Sequence, residues 1–169
     1  QLRGADLVLD EASVTATENI LMASTLAPGK TVIFNAACEP HVQDLAALLV
    51  KMGATISGIG TNRLEIDGVD TLGGAEHAVA PDYIETGSFL TAAAVTGGSL
   101  EINHPGDPLT LGVLEKGFTK LGVHWNHSKN TISLIQNSDR STLLDHGNFT
   151  PKIEDGIWPA FPSDLMSVM

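Results

Sequence analysis

The sequence predicts an α/β fold made of a repeated unit in which helices are enclosed by sheets. Three observations carry this. Shifted by 69 residues, the chain superimposes on itself: Thr17, Leu21, Ala23, Leu26, Gly29 and Ile33 fall on Thr86, Leu90, Ala92, Val95, Gly98 and Ile102. Further on, Leu45, Leu49, Met52 and Gly53 fall on Leu114, Phe118, Leu121 and Gly122, so one register of apolar and glycine positions holds for about fifty residues. Second, helical and strand patterns alternate in the same order in both copies. Third, Ala92-Ala93-Ala94 makes its helix apolar all round and calls for cover on every face.

In the first copy, Asp6–Asp10 reads as a short strand with Leu7 and Leu9 on one face. A helix is expected from about Thr15, where Thr15 and Glu18 have the spacing of a capping box. Its inward-facing positions Ile20, Leu21, Ser24 and Leu26 are only partly periodic, as in a helix buried on more than one side, and Pro28-Gly29 stops it. Thr31–Phe34 is β-branched and aromatic, hence a strand. A second helix is expected over His41–Met52 with Leu45, Leu48 and Leu49 as its stripe and Gly53 as its end. Thr55–Gly58 and Leu64–Ile66 then pair as a hairpin across Gly60-Thr61-Asn62.

The second copy repeats the order. Asp82-x-x-Glu85 opens a helix to about Thr96, ended by Gly97-Gly98; Leu100–Asn103 is a strand and Pro108–Leu121 a helix. Val123–Asn126 and Thr131–Ile135 form the closing hairpin. The full unit is therefore βαβαββ, with the leading strand visible only in the first copy. Residues 136–158 are polar and irregular, broken by the pairs Leu143-Leu144 and Ile157-Trp158.

Composition narrows the function. At 43% hydrophobic residues and a mean hydropathy of +0.12, the chain belongs with globular proteins rather than disordered ones. Apolar runs such as Leu45–Val50 are far too short for a bilayer, and no secretory leader pattern opens the sequence. The single cysteine, Cys38, has no internal partner for a disulfide, which fits a reducing cytoplasm. Six histidines are scattered without zinc-type spacing, so no metal site is expected; His124 and His127 form a pair without a third ligand.

Charge excludes more. Ten acids against four bases give −6 in residues 1–80, and ten against five give −5 in 81–169, for a total of −11. Such a surface repels a phosphate backbone, so nucleic acid is not an expected partner. If the substrates carry phosphate, most of the cationic groups that hold them must lie outside this chain. Only three arginines occur: Arg3, Arg63 and Arg140.

Four motifs follow one another along the chain: Ser13-Val14-Thr15-Ala16-Thr17-Glu18-Asn19, Glu39-Pro40, Asp82-Tyr83-Ile84-Glu85-Thr86-Gly87, and Pro159-Ala160-Phe161-Pro162-Ser163-Asp164. In this order and at close to this spacing, they resemble the UDP-N-acetylglucosamine 1-carboxyvinyltransferases over essentially the whole chain. The last motif is the most specific. The resemblance implies an inside-out α/β barrel, the fold shared with enolpyruvyl transferases of the EPSP synthase type. It also implies two domains of three repeats each, with a cleft between them. Residues 1–80 would be the last repeat of the first domain and 81–169 the first part of the second.

The implied reaction moves the enolpyruvyl group of phosphoenolpyruvate to the 3-hydroxyl of UDP-N-acetylglucosamine, with no metal or organic cofactor. This step opens peptidoglycan synthesis in the bacterial cytoplasm. By resemblance, Asp164 acts at the sugar hydroxyl as general base or orienting group, with Ser163 beside it. Ser13, Val14 and Thr15 correspond to the segment that holds the nucleotide sugar. Glu39 and Asp82 correspond to positions at the cleft. Each has a simpler reading: Ser163 or Asp164 as the cap of a helix, Ser13–Thr15 as an ordinary N-terminal box, and Asp82 as the cap of a buried helix, which is the reading preferred for it. Two departures stand out. Glu11 precedes the first motif where many relatives carry lysine, and Cys38 and His41 flank Glu39 where charged residues are common. Cys38 lies in nothing like the family's reactive loop and reads as an inert small residue.

The family's reactive cysteine loop and phosphoenolpyruvate-clamping arginines match nothing in these residues. The chain is therefore expected to be an internal piece whose parent is active and which has no turnover alone, with the rest of the parent chain as its partner. Residues 136–158 exceed the matching family segment by about eight residues. Two alternatives remain: an enzyme of the sister type acting on shikimate 3-phosphate, and a non-catalytic homologue or isolated scaffold domain that only binds a partner or a sugar nucleotide.

Overall fold

A computed structural model describes residues 2–135 and 151–169. The chain forms two compact units, Gln1–Ala80 and Pro81–Met169. The excess length expected within 136–158 falls largely outside the described residues.

The first unit runs β1 (Asp6–Val8), α1 (Val14–Ser24), β2 (Lys30–Phe34), α2 (Pro40–Lys51), β3 (Thr55–Ser57) and β4 (Arg63–Asp67). Its sheet has the order β1-β2-β4-β3, with β1 parallel to β2 and the other pairings antiparallel. Thr31, Val32 and Ile33 are all buried, so the central strand is covered on both faces, as a consecutive β-branched run favours. Leu21, Ile33, Leu49, Leu64 and Ile66 form the core against the two helices. Side chains as fully buried as Leu21 and Ile66 each contribute about 1.5–3 kcal/mol.

Three details differ from the sequence reading. The cap of α1 is Ser13, whose Oγ accepts from the Ala16 amide at 3.3 Å, rather than Thr15. Residue Ala16 stands where a capping box needs Glu or Gln, so Glu18 takes no part in one. The helix buries a single stripe, Thr17, Leu21 and Ser24, and ends at Ser24, ahead of Pro28. On α2 the buried stripe is Val42, Ala46 and Leu49, with Leu45 packed at its edge. Gly53 does follow this helix, with φ +106°, a conformation that favours glycine.

The second unit runs α3 (Tyr83–Thr96), β5 (Leu100–Asn103), α4 (Pro108–Lys120), β6 (Asn126–Ser128) and β7 (Thr131–Leu134), then a 3₁₀ turn at Ser163–Leu165. Its sheet is antiparallel in the order β5-β7-β6. The bounds of α3 and β5 are those the sequence predicts. Strand β6 lies three residues later than expected. Val123 is taken by the helix exit, where its amide bonds Phe118 O at 3.0 Å, and the tight Lys129-Asn130 turn sets the pairing Ser128 with Thr131. The core gathers Tyr83, Leu90, Leu114, Phe118, Trp125, Ile132, Phe161 and Leu165.

Cover around α3 is one-sided. Ala94 is buried and Ala93 half-buried, but Ala92 is exposed, and Phe89 and Val95 are 54% and 71% exposed. The first copy does the same at Ala23 and Leu26, the positions matching Ala92 and Val95 in the repeat. One repeat supplies a single sheet, and that sheet shields one side of its first helix.

Candidate functional site

In the first unit, the residues expected to hold the nucleotide sugar stand at the N-terminus of α1. Ser13 O accepts the first intrahelical bond, from the Thr17 amide at 3.0 Å, while Ser13 Oγ takes the Ala16 amide. The amides of Val14 and Thr15 come before that first bond and are the helix's orphan donors. Ser13 Oγ lies 3.4 Å from Thr15 Oγ1, so two hydroxyls sit beside those amides. Thr15 is exposed, Ser13 and Val14 are half-buried, and Glu11 is exposed. Thr17, wholly buried, holds this turn in place: its hydroxyl donates to Ser13 O at 2.8 Å and accepts from the Ala37 amide at 2.9 Å. That second bond brings the start of α1 beside the loop leading to Glu39.

Glu39 is the residue before Pro40 at the start of α2, yet its side chain makes no capping bond. Its Oε2 is buried without a hydrogen-bond partner among the described residues. A buried carboxylate oxygen left this way is uncommon and points to a role other than holding the helix. Burial, and then the Glu39 charge, push the neighbouring Cys38 thiol above its ordinary value, which keeps it protonated and unreactive at neutral pH.

In the second unit, Asp82 does what a cap does. Its Oδ1 accepts from the amides of Ile84 at 2.8 Å and Glu85 at 3.3 Å. Asp164 does not. It lies inside the 3₁₀ turn, whose capping position is Pro162, and neither Ser163 nor Asp164 accepts a backbone amide through its side chain among the described residues. The alternative reading of these two residues as a helix cap therefore has no bond to support it. Both are exposed, while Phe161, Pro162 and Leu165 on either side are buried. The Asp164 carboxylate has no hydrogen-bond or ionic partner among the described residues.

Sequence reasoning missed one feature here. A cleft of about 470 Å³ opens between α4 and the segment before the 3₁₀ turn, with Lys116, Lys120 and Lys152 around Val113, Ile153 and Phe161. Three of the chain's nine basic residues thus meet in one place. The spacing of Lys116 and Lys120 on one helix face was the available signal. Two of the three already have partners: Lys120 donates to Lys152 O at 2.6 Å, and Lys152 pairs with Glu154 at 2.5 Å. Hydrogen bonding from Lys152, followed by its charge, holds Glu154 below its ordinary value. Ser163 and Asp164 do not line this cleft. His127 faces Glu115 of α4 at 3.3 Å, and no group of three or more potential metal ligands assembles among the described residues.

Comparison with known proteins gives these positions a context. The chain is 50% identical over 169 residues to the UDP-N-acetylglucosamine 1-carboxyvinyltransferases of Borrelia garinii and Treponema denticola. All of this chain is matched, and it spans 39% of the length of those curated relatives. Among solved structures, the enolpyruvyl transferase NikO from Streptomyces tendae aligns with a TM-score of 0.68 at 18% identity, over 80% of this chain and 36% of that one. An EPSP synthase from Acinetobacter baumannii aligns with a TM-score of 0.58 at 21% identity, over 80% of this chain and 32% of that one. These two likenesses bear on the fold. The family model described as EPSP synthase (3-phosphoshikimate 1-carboxyvinyltransferase) matches residues 1–167, and the chain belongs to that family.

Proposed function

We propose that the protein of which this chain forms a part transfers the enolpyruvyl group of phosphoenolpyruvate to the 3-hydroxyl of UDP-N-acetylglucosamine. The observation that carries this reading is Asp164, an exposed carboxylate with no structural partner among the described residues, held between buried neighbours. Its place in the Pro159–Asp164 motif and the 50% identity to relatives named for this reaction supply the chemistry.

Asp164 takes the hydroxyl proton as the sugar oxygen forms its bond to C2 of phosphoenolpyruvate, and the methylene carbon gains a proton from elsewhere. Loss of a proton from that carbon, with departure of phosphate from C2, restores the double bond. Ser163 flanks the carboxylate. The orphan amides at Val14 and Thr15, with the hydroxyls of Ser13 and Thr15, suit the diphosphate of the sugar nucleotide. Glu39 and Asp82 are further candidates for contact with substrate, and the Asp82 carboxylate already caps α3. In this reading, 1–80 is the last repeat of the first domain and 81–169 begins the second. The reaction is cytoplasmic and opens peptidoglycan synthesis. Phosphoenolpyruvate is clamped by arginines of the remaining chain, so these 169 residues alone have no turnover.

The test is a phosphate-release assay on the full-length parent with each acceptor. Turnover with UDP-N-acetylglucosamine is expected, and Asp164→Asn is expected to lower kcat by about 10²–10⁴-fold. Turnover with shikimate 3-phosphate instead would overturn the acceptor. An unchanged kcat in Asp164→Asn would overturn the role given to that residue.

A further inference from the structure

We propose that Gly87 of α3 is a positioning residue for Asp164, acting as the seat into which Leu165 drops. A Cβ on Gly87 would lie 2.5 Å from Leu165 Cδ1, closer than such atoms approach, and 3.2 Å from Cδ2, a tight contact. Leu165 is wholly buried and directly follows Asp164. A matching seat lies on the other side: a Cβ on Gly117 of α4 would lie 2.5 Å from Cδ2 and Cε2 of Phe161, three residues before Asp164.

The turn between these seats does little to hold itself. It is three residues long, with amide bonds from Leu165 to Pro162 O at 3.2 Å and from Met166 to Ser163 O at 3.0 Å. So short a 3₁₀ turn has few bonds and poor geometry, so its place depends on what its side chains are packed into. Phe161 and Leu165 are those anchors, and Asp164 is carried between them with its carboxylate exposed. A glycine inside α3 also needs a reason, because the helix is otherwise rich in alanine and glycine weakens it. Room for Leu165 is that reason. Of the two seats, Gly87 bears more directly on Asp164, since its occupant is the adjacent residue.

This inference rests on the role proposed for Asp164, and the test keeps the two apart. In the full-length parent, Gly87→Ala is expected to lower kcat by about 10–100-fold with the KM for phosphoenolpyruvate nearly unchanged, because a displaced base costs rate rather than binding. Removing the obstructing side chain as well, in the Gly87→Ala/Leu165→Ala double variant, is expected to recover part of that loss. Gly112→Ala, where an added Cβ meets nothing within 4 Å, is the control and keeps wild-type kcat. Wild-type kcat in Gly87→Ala would overturn the inference. So would a loss of kcat, KM and thermal midpoint together that the double variant does not relieve. A crystal structure of the Gly87→Ala parent provides a readout free of activity. Asp164 shifted along with Leu165 supports the seat even if the acceptor is misassigned, and Asp164 unmoved overturns it even if the transferase reading stands.

Discussion

Both repeats begin their second helix with an acidic residue followed by proline, and they use that acid in opposite ways. Asp107 caps α4: its Oδ1 accepts from the amides of Leu109 at 2.9 Å and Thr110 at 3.1 Å, and its Oδ2 accepts from the Thr110 hydroxyl. Glu39 leaves α2 without a side-chain cap and keeps one carboxylate oxygen buried and unpartnered among the described residues. The difference of one methylene matters, because the shorter side chain reaches the first-turn amides with a geometry that capping favours. Fold duplication thus conserves the scaffold position while releasing one carboxylate from scaffold work. Asp82 and Asp164 show the same division within one unit, the first bonded to its helix and the second not.

The largest expected effect compares the two cores at matching positions of the repeat. Phe118 is buried with its ring edge-on to Trp125, centroids 5.5 Å apart, and 6.3 Å from Phe161. Leu49, its counterpart, packs among aliphatic side chains. Phe118→Ala is expected to cost about 3–5 kcal/mol, and Leu49→Ala nearer the lower end of about 2–5 kcal/mol. Urea unfolding reads both by circular dichroism. Both tryptophans, Trp125 and Trp158, lie in the second unit, so fluorescence follows the Phe118 variant. Equal losses would show that the aromatic cluster adds nothing beyond a single aliphatic side chain.

Next in size is the pair of acids itself. Asp107→Ala is expected to cost about 1–2 kcal/mol through loss of the cap. Glu39→Ala is expected to stay within about 0.5 kcal/mol of zero, because no capping bond is lost and an orphaned polar atom is removed. A Glu39→Ala loss as large as that of Asp107→Ala would return Glu39 to the scaffold and end the comparison.

What the sequence disclosed follows the same line. Local punctuation was legible: Asp82 with Glu85, then Gly97-Gly98, bounds α3 at both ends because caps and left-handed glycines act over three or four residues. Thr15 misled because its spacing to Glu18 resembles a capping box, whereas Ser13 caps with only Ala16 at the partner position. The stripe of α2 was read one step off, because Val42 and Ala46 hide behind a run of leucines. At the candidate site, the role proposed for Asp164 comes only from the Pro159–Asp164 motif, since an isolated aspartate after proline and serine reads equally as a cap. The seats at Gly87 and Gly117 and the orphaned oxygen of Glu39 were not legible at all. Each depends on which distant side chain arrives beside it, and periodicity carries no record of that.

The smallest effect separates two carboxylates by what holds each of them charged. Burial alone pushes Asp107 up, but the Thr110 hydroxyl and the amides of Thr110 and Leu109 together hold it below its ordinary value. Glu65 is held low by hydrogen bonds from Lys30 and Arg63 and by their charges, on an exposed surface. In both cases the folded value lies below the unfolded one. The stabilisation is therefore complete above the unfolded value, about 4, and is lost as pH falls through the folded value. Salt tells them apart. At 1 M the screening length falls to about 3 Å, which weakens the exposed ion pairs around Glu65, while the amide and hydroxyl bonds to Asp107 involve no opposing charge. Unfolding of Asp107→Asn and Glu65→Gln, followed from pH 6 to 2 at low and high salt, reads both. The stability that wild type loses on acidification, relative to Asp107→Asn, is expected to persist in salt. The difference from Glu65→Gln is expected to vanish. If salt erased both, Asp107 would be held by the protein's long-range field rather than by its helix, and the contrast with Glu39 would no longer rest on capping.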